Sequence, residues 1–465
     1  MVTVKHSVPR GGLGSALSDR ELILHPWGRL HPLENSHFIL EGDGVYVRGA
    51  DGVALLDGIA GLWCVNVGYG RREIAEAIAA QALRLPFYSA FMEMGNEPST
   101  RLAAALAEAA PGDLGRVFFT TGGSTANDSA IRFLHLLANR NGQPARKHLI
   151  TRAEAYHGST FLTASCSGKF SDRSDLDVLE SQVHHLRSVN PYHRPAGQSI
   201  EQFCAERVAE LEAKIVELGP ENVAGFIAEP ILASGGVIVP PPGYHAATLA
   251  VCRKYEVRYI SDEVVTGFGR LGHLFASESV FGIVPDIITC AKGLTSGYVP
   301  LGAMILSDSL CRAADPDSTA VFSHGFTYAA HPVACAAALA TLEILEREAL
   351  CAHVRELSPY FLEQLRGLAD LPLVGDVRGM GLLAGIEFVR NRATRASFDA
   401  SVKIGALIAS ACRKRGLIIR PLGSVLGISP PLTISRSHVD TLVGVLRESI
   451  GTVTDELVRQ GIRIG

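Results

Sequence analysis

Apolar and polar residues alternate in two different ways along the chain, and the change falls near residue 70. Before it, short apolar runs are separated by Asp43-Gly44 and Asp51-Gly52, pairs typical of hairpin turns. We therefore predict a small antiparallel meander there. After it, helical stretches such as TRLAAALAEAA alternate with short β-rich runs, which predicts βαβ units and a mostly parallel sheet covered on both faces. The runs are VFFT (117–120), KHLI (147–150), VAGFIAE (223–229), VRYISDE (257–263), DIITCAK (286–292) and GAMIL (302–306).

The last third of the chain has its own pattern. An alanine-rich stretch without glycine predicts a long helix from about His331 to Glu348, and helices and strands alternate again beyond it. We predict an α/β protein with a large domain over 71–335 and a smaller α+β domain over 336–465, to which the N-terminal segment 1–70 contributes. The polar stretch 168–205, with several His and Pro residues, is predicted to be a long surface excursion.

Composition and charge narrow the class of protein. The 465 residues are enough to bury a large core, and 43 Lys+Arg against 47 Asp+Glu disfavour a nucleic-acid partner. Nine scattered cysteines without CxxC or zinc spacing predict free thiols and no metal site. The N-terminus lacks the apolar core of a signal peptide, and Glu229-Pro230 interrupts the most apolar stretch, 223–239. We expect a cytoplasmic enzyme without a membrane span.

Three features at predicted strand ends could carry chemistry. The strand Val117–Thr120 leads through Gly122-Gly123-Ser124 into a helix, whose free N–H groups could bind an anion. Asp262 and Lys292 each follow an apolar strand, so they could meet a cationic nitrogen and a carbonyl carbon of a ligand. Taken singly, each has an ordinary alternative: a capping turn, a loop-capping aspartate and a solvent-facing lysine. Together they match the phosphate, ring nitrogen and aldehyde of pyridoxal 5′-phosphate.

Nine ordered motifs extend this picture over nearly the whole chain. With them the chain resembles the class III aminotransferases, pyridoxal-phosphate enzymes of fold type I, and among these the ω-aminotransferases that use amines and pyruvate. The motifs are GLWCVNVGYGR (61–71), LPFYSAF (85–91), AYHGST (155–160), IAEP (227–230), GGVIVPPPGY (235–244), DEVVTGFGR (262–270), AKGLTSGYVPLGA (291–303), HGFTYAAHP (324–332) and IIRPLG (418–423).

The resemblance implies a role for each residue around the cofactor ring. Lys292 would hold the aldehyde covalently and later move the proton of the donor carbon. Asp262 would keep the ring nitrogen protonated. Val264 would pack on one face of the ring and Tyr156 would stack on the other.

Further cofactor contacts follow from the same resemblance. Gly123 and Ser124 would bind the phosphate, and His157 belongs to the same motif as Tyr156. Glu229 would lie close to the cofactor, or it is a buried structural carboxylate. Thr327 would reach the phosphate of the neighbouring subunit, which implies a homodimer with shared sites, or a tetramer built from it.

The substrate side is predicted by similarity and by departures from the family pattern. Arg420 matches an arginine that binds the carboxylate of an oxo acid, and Ser234 stands where relatives acting on γ-amino acids carry a Glu. Thr125 and Leu232 replace a Glu of the phosphate loop and a Gln near the cofactor. Four aromatic residues match positions that line the substrate pocket: Trp27, Trp63, Phe91 and Tyr156.

The predicted activity is the transfer of an amino group from a primary amine or ω-amino acid to pyruvate by a ping-pong mechanism. Three alternatives stay open. They are a 2-oxoglutarate-linked aminotransferase, a decarboxylase on the same fold, and a catalytically silent binding relative.

Overall fold

The computed structural model describes residues 23–28, 30 and 38–465. Three β-sheets and the helices around them organise this part of the chain. The strands are β1 (Ile39–Asp43), β2 (Tyr46–Gly49), β3 (Ala54–Asp57), β4 (Leu114–Thr120), β5 (His148–Arg152), β6 (Val183–Leu186), β7 (Val223–Ala228), β8 (Arg258–Asp262), β9 (Ile287–Cys290), β10 (Gly302–Ser307), β11 (Val374–Met380), β12 (Leu383–Phe388), β13 (Leu417–Ile418), β14 (Arg420–Leu422) and β15 (Val425–Ile428). The main helices are α1 (Arg72–Arg84), α2 (Glu97–Ala109), α3 (Gly123–Arg140), α4 (Phe161–Cys166), α5 (Ile200–Leu218), α6 (Tyr244–Lys254), α7 (Asp308–Ala314), α8 (Pro332–Arg347), α9 (Leu350–Arg366), α10 (Ile404–Arg413) and α11 (Arg436–Arg459).

The central sheet has seven strands in the order β4-β10-β9-β8-β7-β5-β6. All neighbours pair in parallel except β10, which is antiparallel to both β4 and β9. The predicted mostly parallel sheet is confirmed. Its strands β7, β9 and β10 are buried throughout, because helices cover both faces.

The edge strand β6 corrects one prediction. It lies within 168–205, which we expected to be a surface excursion, and it pairs with β5 from Leu149↔Val183 to Arg152↔Leu186. Its sequence VHHL places two histidines between the buried Val183 and Leu186. That order of apolar and polar residues does not alternate with period two, so the pattern gave no strand signal.

The N-terminal meander is present as predicted and continues into the C-terminal part of the chain. Strands β1, β2 and β3 pair antiparallel, and β13 then adds in parallel to β3. Another sheet, β11-β12-β15-β14, is antiparallel throughout and packs against the C-terminal helices. Both termini therefore contribute to this end of the molecule, while the domain boundaries at 70 and 335 stay predictions.

Two helices were anticipated well by the apolar pattern. The predicted helix 331–348 is α8, whose buried alanines let it pack closely on α1 and α2. In α3 the expected stripe of Ala126, Ala130, Leu134 and Leu137 is buried. Within the described residues, no helix is long and apolar enough to cross a membrane.

One buried side chain connects the parts of the chain that surround the site. The guanidinium of Arg270, in the loop after β8, donates to the carbonyls of Leu382 (3.1 Å) and Pro430 (2.6 Å) and to Oδ1 of Asn66 (2.9 Å). Burial lowers the pKa of Arg270 to about 9. Because Leu382 and Pro430 belong to the C-terminal part and Asn66 to the N-terminal segment, this arginine joins all three regions.

Candidate active site

A cavity of about 830 Å³ opens at the carboxyl ends of the parallel strands. Most of the predicted site residues line it, although they come from distant parts of the sequence. Those residues are Trp27, Trp63, Gly123, Ser124, Tyr156, His157, Glu229, Asp262, Val264, Lys292 and Arg420.

The carboxylate of Asp262, the last residue of β8, is held in a buried hydrogen-bond network. Its Oδ2 accepts from Nδ1 of His157 (2.7 Å) and from Nδ2 of Asn127 (2.7 Å), and its Oδ1 accepts from the amide of Val264 (3.1 Å). The other ring nitrogen of His157 is 3.2 Å from Oγ1 of Thr151. The carboxylate is only 3% exposed, and these contacts fix its orientation at the cavity.

Asn127 is a site residue that the sequence reasoning missed. It is 1% exposed in α3, and besides Asp262 it donates to the carbonyl of His157 (2.8 Å) and accepts from Oγ1 of Thr289 (2.6 Å). The available signal was its place beside Ala126 on the buried stripe of the helix. A buried amide there needs polar partners, and a strand-end carboxylate provides one.

The first turn of α3 lies at the cavity, where the sequence predicts an anion site. A helix that begins at Gly123 leaves its first N–H groups without intrahelical partners, and Gly123 and Ser124 face the cavity. Val264 packs against this turn so closely that a Cβ on Gly123 would lie 2.9 Å from its Cγ1. The hydroxyl of Thr125 donates to the carbonyl of Gly122 (2.8 Å), so it stabilises the turn.

Glu229 connects two loops at the cavity wall. Its carboxylate accepts from the amides of Tyr156 (2.9 Å) and Ala233 (3.1 Å), and its carbonyl accepts from Arg152 (2.5 Å). Burial raises the pKa of Glu229. The residue therefore both faces the cavity and fixes the backbone of Tyr156, whose hydroxyl is 2.9 Å from Oγ of Ser159.

Lys292 begins a tight turn directly after β9. Its φ is +45°, and a Cβ on the next residue, Gly293, would clash with Nδ2 of Asn66. Glycine is thus required at 293 for the turn to approach the N-terminal segment. Burial lowers the pKa of Lys292, although the nearby Cys64, Asp262 and Glu229 oppose the effect. A lysine with a lowered pKa is a better nucleophile and base at neutral pH.

Aromatic rings and one arginine form the outer part of the cavity. The ring centroids of Trp27 and Tyr156 are 5.9 Å apart in an edge-to-face arrangement. Trp63 is only 4% exposed and packs against Gly427. Arg420, at the start of β14, is half-buried, and its Nε has no hydrogen-bond partner within the described part of the chain. Burial lowers the pKa of Arg420.

Two predicted residues lie outside the cavity of their own chain. Thr327 and Phe91 are both exposed. Phe91 lies beside the segment that contains Thr327, since a Cβ placed on Gly325 would be 3.7 Å from the Cζ of Phe91. The assignment of Phe91 to the pocket is therefore not met within one chain. Lys169 and Asp172, which the sequence reasoning did not single out, do line the cavity.

The donor set fits pyridoxal phosphate. Helix N–H groups suit its phosphate, the oriented carboxylate of Asp262 suits a protonated ring nitrogen, and Lys292 suits its aldehyde. A mostly parallel sheet that brings these three groups to one cavity defines a pyridoxal-phosphate enzyme of fold type I.

Comparison with known proteins identifies the family. The family model for Aminotransferase class-III matches residues 31–450. The chain is 40% identical to the putrescine–pyruvate aminotransferase of Pseudomonas aeruginosa, over 90% of this chain and 91% of that one. It is 39% identical to the diaminobutyrate–2-oxoglutarate transaminase of Halomonas elongata, over 95% and 97%. The solved ω-transaminase of Pseudomonas jessenii in complex with PMP has a TM-score of 0.92 and 36% identity, covering 95% of this chain and 98% of that one.

The chain belongs to the class III aminotransferases and is a pyridoxal-phosphate-dependent transaminase. The family resemblance, the fold type and the cofactor predicted from the motifs are confirmed. The neighbouring structure with PMP, the aminated form of the cofactor, agrees with this assignment.

Proposed function

We propose that this enzyme moves an amino group from a primary amine or an ω-amino acid to pyruvate in two half-reactions of a ping-pong cycle. The observation that carries the proposal is Arg420, a half-buried cation without a partner for its Nε, in the same cavity as Lys292. A guanidinium in that setting pairs strongly with a carboxylate. The relative from Pseudomonas aeruginosa, named for pyruvate, supports the choice of acceptor.

The residues of the chain divide the work between holding and proton transfer. When bound, pyridoxal phosphate supplies an aldehyde that takes up the donor's amino group and a ring that withdraws electrons. Lys292 removes the proton from the donor carbon as the base and returns a proton as the acid. Asp262, held by His157 and Asn127, would accept a hydrogen bond from the protonated ring nitrogen of the cofactor.

The substrate side discriminates by charge and by apolar contact. Arg420 would bind the carboxylate of the acceptor, while Trp27, Trp63 and Tyr156 would enclose the carbon chain of the donor. Each buried methylene contributes about 0.8 kcal/mol to binding. Longer aliphatic donors should therefore bind better until the cavity is filled.

Comparing acceptors tests the role of Arg420. In the variant Arg420→Ala we expect kcat/KM for pyruvate to fall about 100-fold, because two charge-assisted hydrogen bonds are lost. The value for propanal, which has no carboxylate, should stay within about threefold of wild type. The exposed Arg459→Ala provides the control. Equal losses of kcat/KM with pyruvate and propanal would refute the proposal that Arg420 binds the carboxylate of the acceptor. A strong preference of the wild-type enzyme for 2-oxoglutarate over pyruvate would refute the proposal that pyruvate is the acceptor.

We further propose a homodimer with shared sites. Large apolar side chains around the Thr327 segment are exposed, which is unusual for a monomer and typical of an interface. They include Phe87, Tyr88, Phe91, Met92 and Tyr328. A second copy seated there would cover them and bring Thr327 and Phe91 to the partner's cavity.

Subunit mixing tests this arrangement. Homodimers of Lys292→Ala or of Thr327→Glu should both be inactive, but their heterodimer keeps one site with an intact Lys292 and an intact Thr327 from its partner. Activity should therefore return on co-expression. Its absence in a purified heterodimer, or a mass of 49.5 kDa rather than twice that value in solution, would refute shared sites.

We also propose that the enzyme is located in the cytoplasm. All nine cysteines are free thiols, as expected in a reducing compartment. A fluorescent fusion that located to another compartment would refute it.

A further inference from the structure

The outer wall of the cavity contains an ion pair that the mechanism above does not use. Nζ of Lys169 lies 3.0 Å from Oδ2 of Asp172, and both residues line the cavity. They lie within one turn of chain, with side chains 25% and 15% exposed. The other cavity carboxylates have partners of their own: Asp262 and Glu229 hold the cofactor side, and Glu154 accepts from the hydroxyl of Ser188. Asp172 differs from them because its charged partner is an ammonium, the group that an amine donor also carries.

The hydrogen-bonding capacity of Asp172 is not filled. Its Oδ2 is buried but has no hydrogen-bond donor within the described residues, since the contact with Lys169 has the distance of an ion pair without the angles of a hydrogen bond. Oδ1 receives only a long contact of 3.3 Å from Oγ of Ser171. A carboxylate has two acceptor oxygens, so one that is held by a single ion pair and one long contact can still accept hydrogen bonds from a ligand N–H.

Lys169 shows what chemistry this carboxylate accepts. Its side chain ends in a primary alkylammonium on a flexible stem of four methylenes, the same group that ends an aliphatic diamine. It also has another partner within reach, because Nζ is 3.4 Å from Oγ of Ser234. A small rotation toward Ser234 or solvent would release Asp172 without leaving the ammonium buried and alone.

We propose that Asp172 is a subsite for the distal ammonium of aliphatic diamine donors, and that Lys169 occupies it until such a donor arrives. The exchange replaces one ammonium by another at Asp172, so the carboxylate keeps a cationic partner. The inference rests on the proposed function, since it names the class of amine that enters the same cavity. The charge of Asp172 also acts on Arg420 and Tyr156, which places it near the acceptor's arginine. Asp172, Arg420 and Lys292 all line the same cavity.

A matched pair of amines tests the subsite. Putrescine ends in a second ammonium, whereas pentylamine has a methyl group at the equivalent place. In the donor half-reaction of the holoenzyme, Asp172→Asn should lower kcat/KM for putrescine about tenfold and leave pentylamine nearly unchanged, since only the charged contact is lost. Lys169→Met should raise kcat/KM for putrescine several-fold, because the competing ammonium is gone.

Equilibrium binding gives a second readout that does not depend on turnover. The aminated holoenzyme cannot react with another amine, so calorimetry measures binding alone. Wild type should bind putrescine more tightly than pentylamine, and Asp172→Asn should remove the difference. Equal loss of both amines in Asp172→Asn, or weaker putrescine binding in Lys169→Met, would overturn the subsite. If neither amine gives alanine from pyruvate while the binding difference persists, the proposed function fails and the subsite stands.

Discussion

The two walls of the cavity differ in how completely their polar groups are hydrogen-bonded. The inner wall contains Asp262, Glu229 and Lys292, and the outer wall contains Arg420 and Asp172. On the inner wall, Asp262 accepts three hydrogen bonds and Glu229 accepts two at its carboxylate, all from residues of this chain. On the outer wall, within the described part of the chain, Nε of Arg420 has no hydrogen-bond partner, and Oδ2 of Asp172 has only its ion pair with Lys169.

The difference reflects what each wall binds. The inner wall holds one cofactor throughout the cycle, so a closed network can be fixed in advance, and it positions the reacting groups. The outer wall must receive a donor and then an acceptor of different charge. Open hydrogen-bonding capacity there leaves the substrate to complete the site. Changes on the inner wall should therefore affect every substrate, whereas changes on the outer wall should affect some and spare others.

The largest expected effect is on the inner wall. Lys292→Ala should lower kcat about 10⁴-fold with every donor and acceptor, because the acid–base group is removed. Steady-state alanine formation measures it. The exposed Lys414→Ala serves as the control. A loss of activity with one substrate class alone would contradict the expectation that changes on the inner wall affect every substrate.

A smaller, equally uniform effect should follow from opening the inner network. Asn127→Leu removes a donor from Asp262 and should lower kcat about tenfold to 100-fold for all substrates, as expected for an imperfectly held charged group. Cofactor affinity, followed by absorbance during dialysis, should fall in parallel. Asn139→Leu, on an exposed part of the same helix, is a matched control. Wild-type kcat in Asn127→Leu would show that the network is not needed.

The inner wall was also the part that the sequence predicted best. Asp262 ends an apolar strand, Lys292 and the Gly123-Ser124 turn come shortly after one, and a sheet brings such strand ends to one edge. Asn127 was missed because its place beside the buried stripe indicates burial but does not indicate which residue of a distant strand it contacts. Lys169 and Asp172 were missed because they lie in an irregular segment whose path depends on tertiary packing. The edge strand β6 was missed because its two histidines break the alternation.

The smallest expected effect is a lowered pKa of Lys292. In the cofactor-free enzyme, burial should make the Lys292 amine neutral at a pH below the ordinary lysine value of about 10.4. Its labelling by an amine reagent, followed by peptide mass spectrometry, should therefore reach half-maximum at lower pH than that of the exposed Lys414. In Asp262→Asn the midpoint should fall further, since a stabilising negative charge is lost. A midpoint at or above that of Lys414 would contradict a lowered pKa for Lys292.

A single-turnover experiment tests the central claim most directly. Enzyme incubated with an amine donor and no acceptor should release one equivalent of carbonyl product per site and then stop. After the donor is removed by gel filtration, added pyruvate should yield one equivalent of alanine. Carbonyl product that forms only when pyruvate is present, or carbon dioxide in place of a carbonyl product, would contradict a two-step transfer of the amino group.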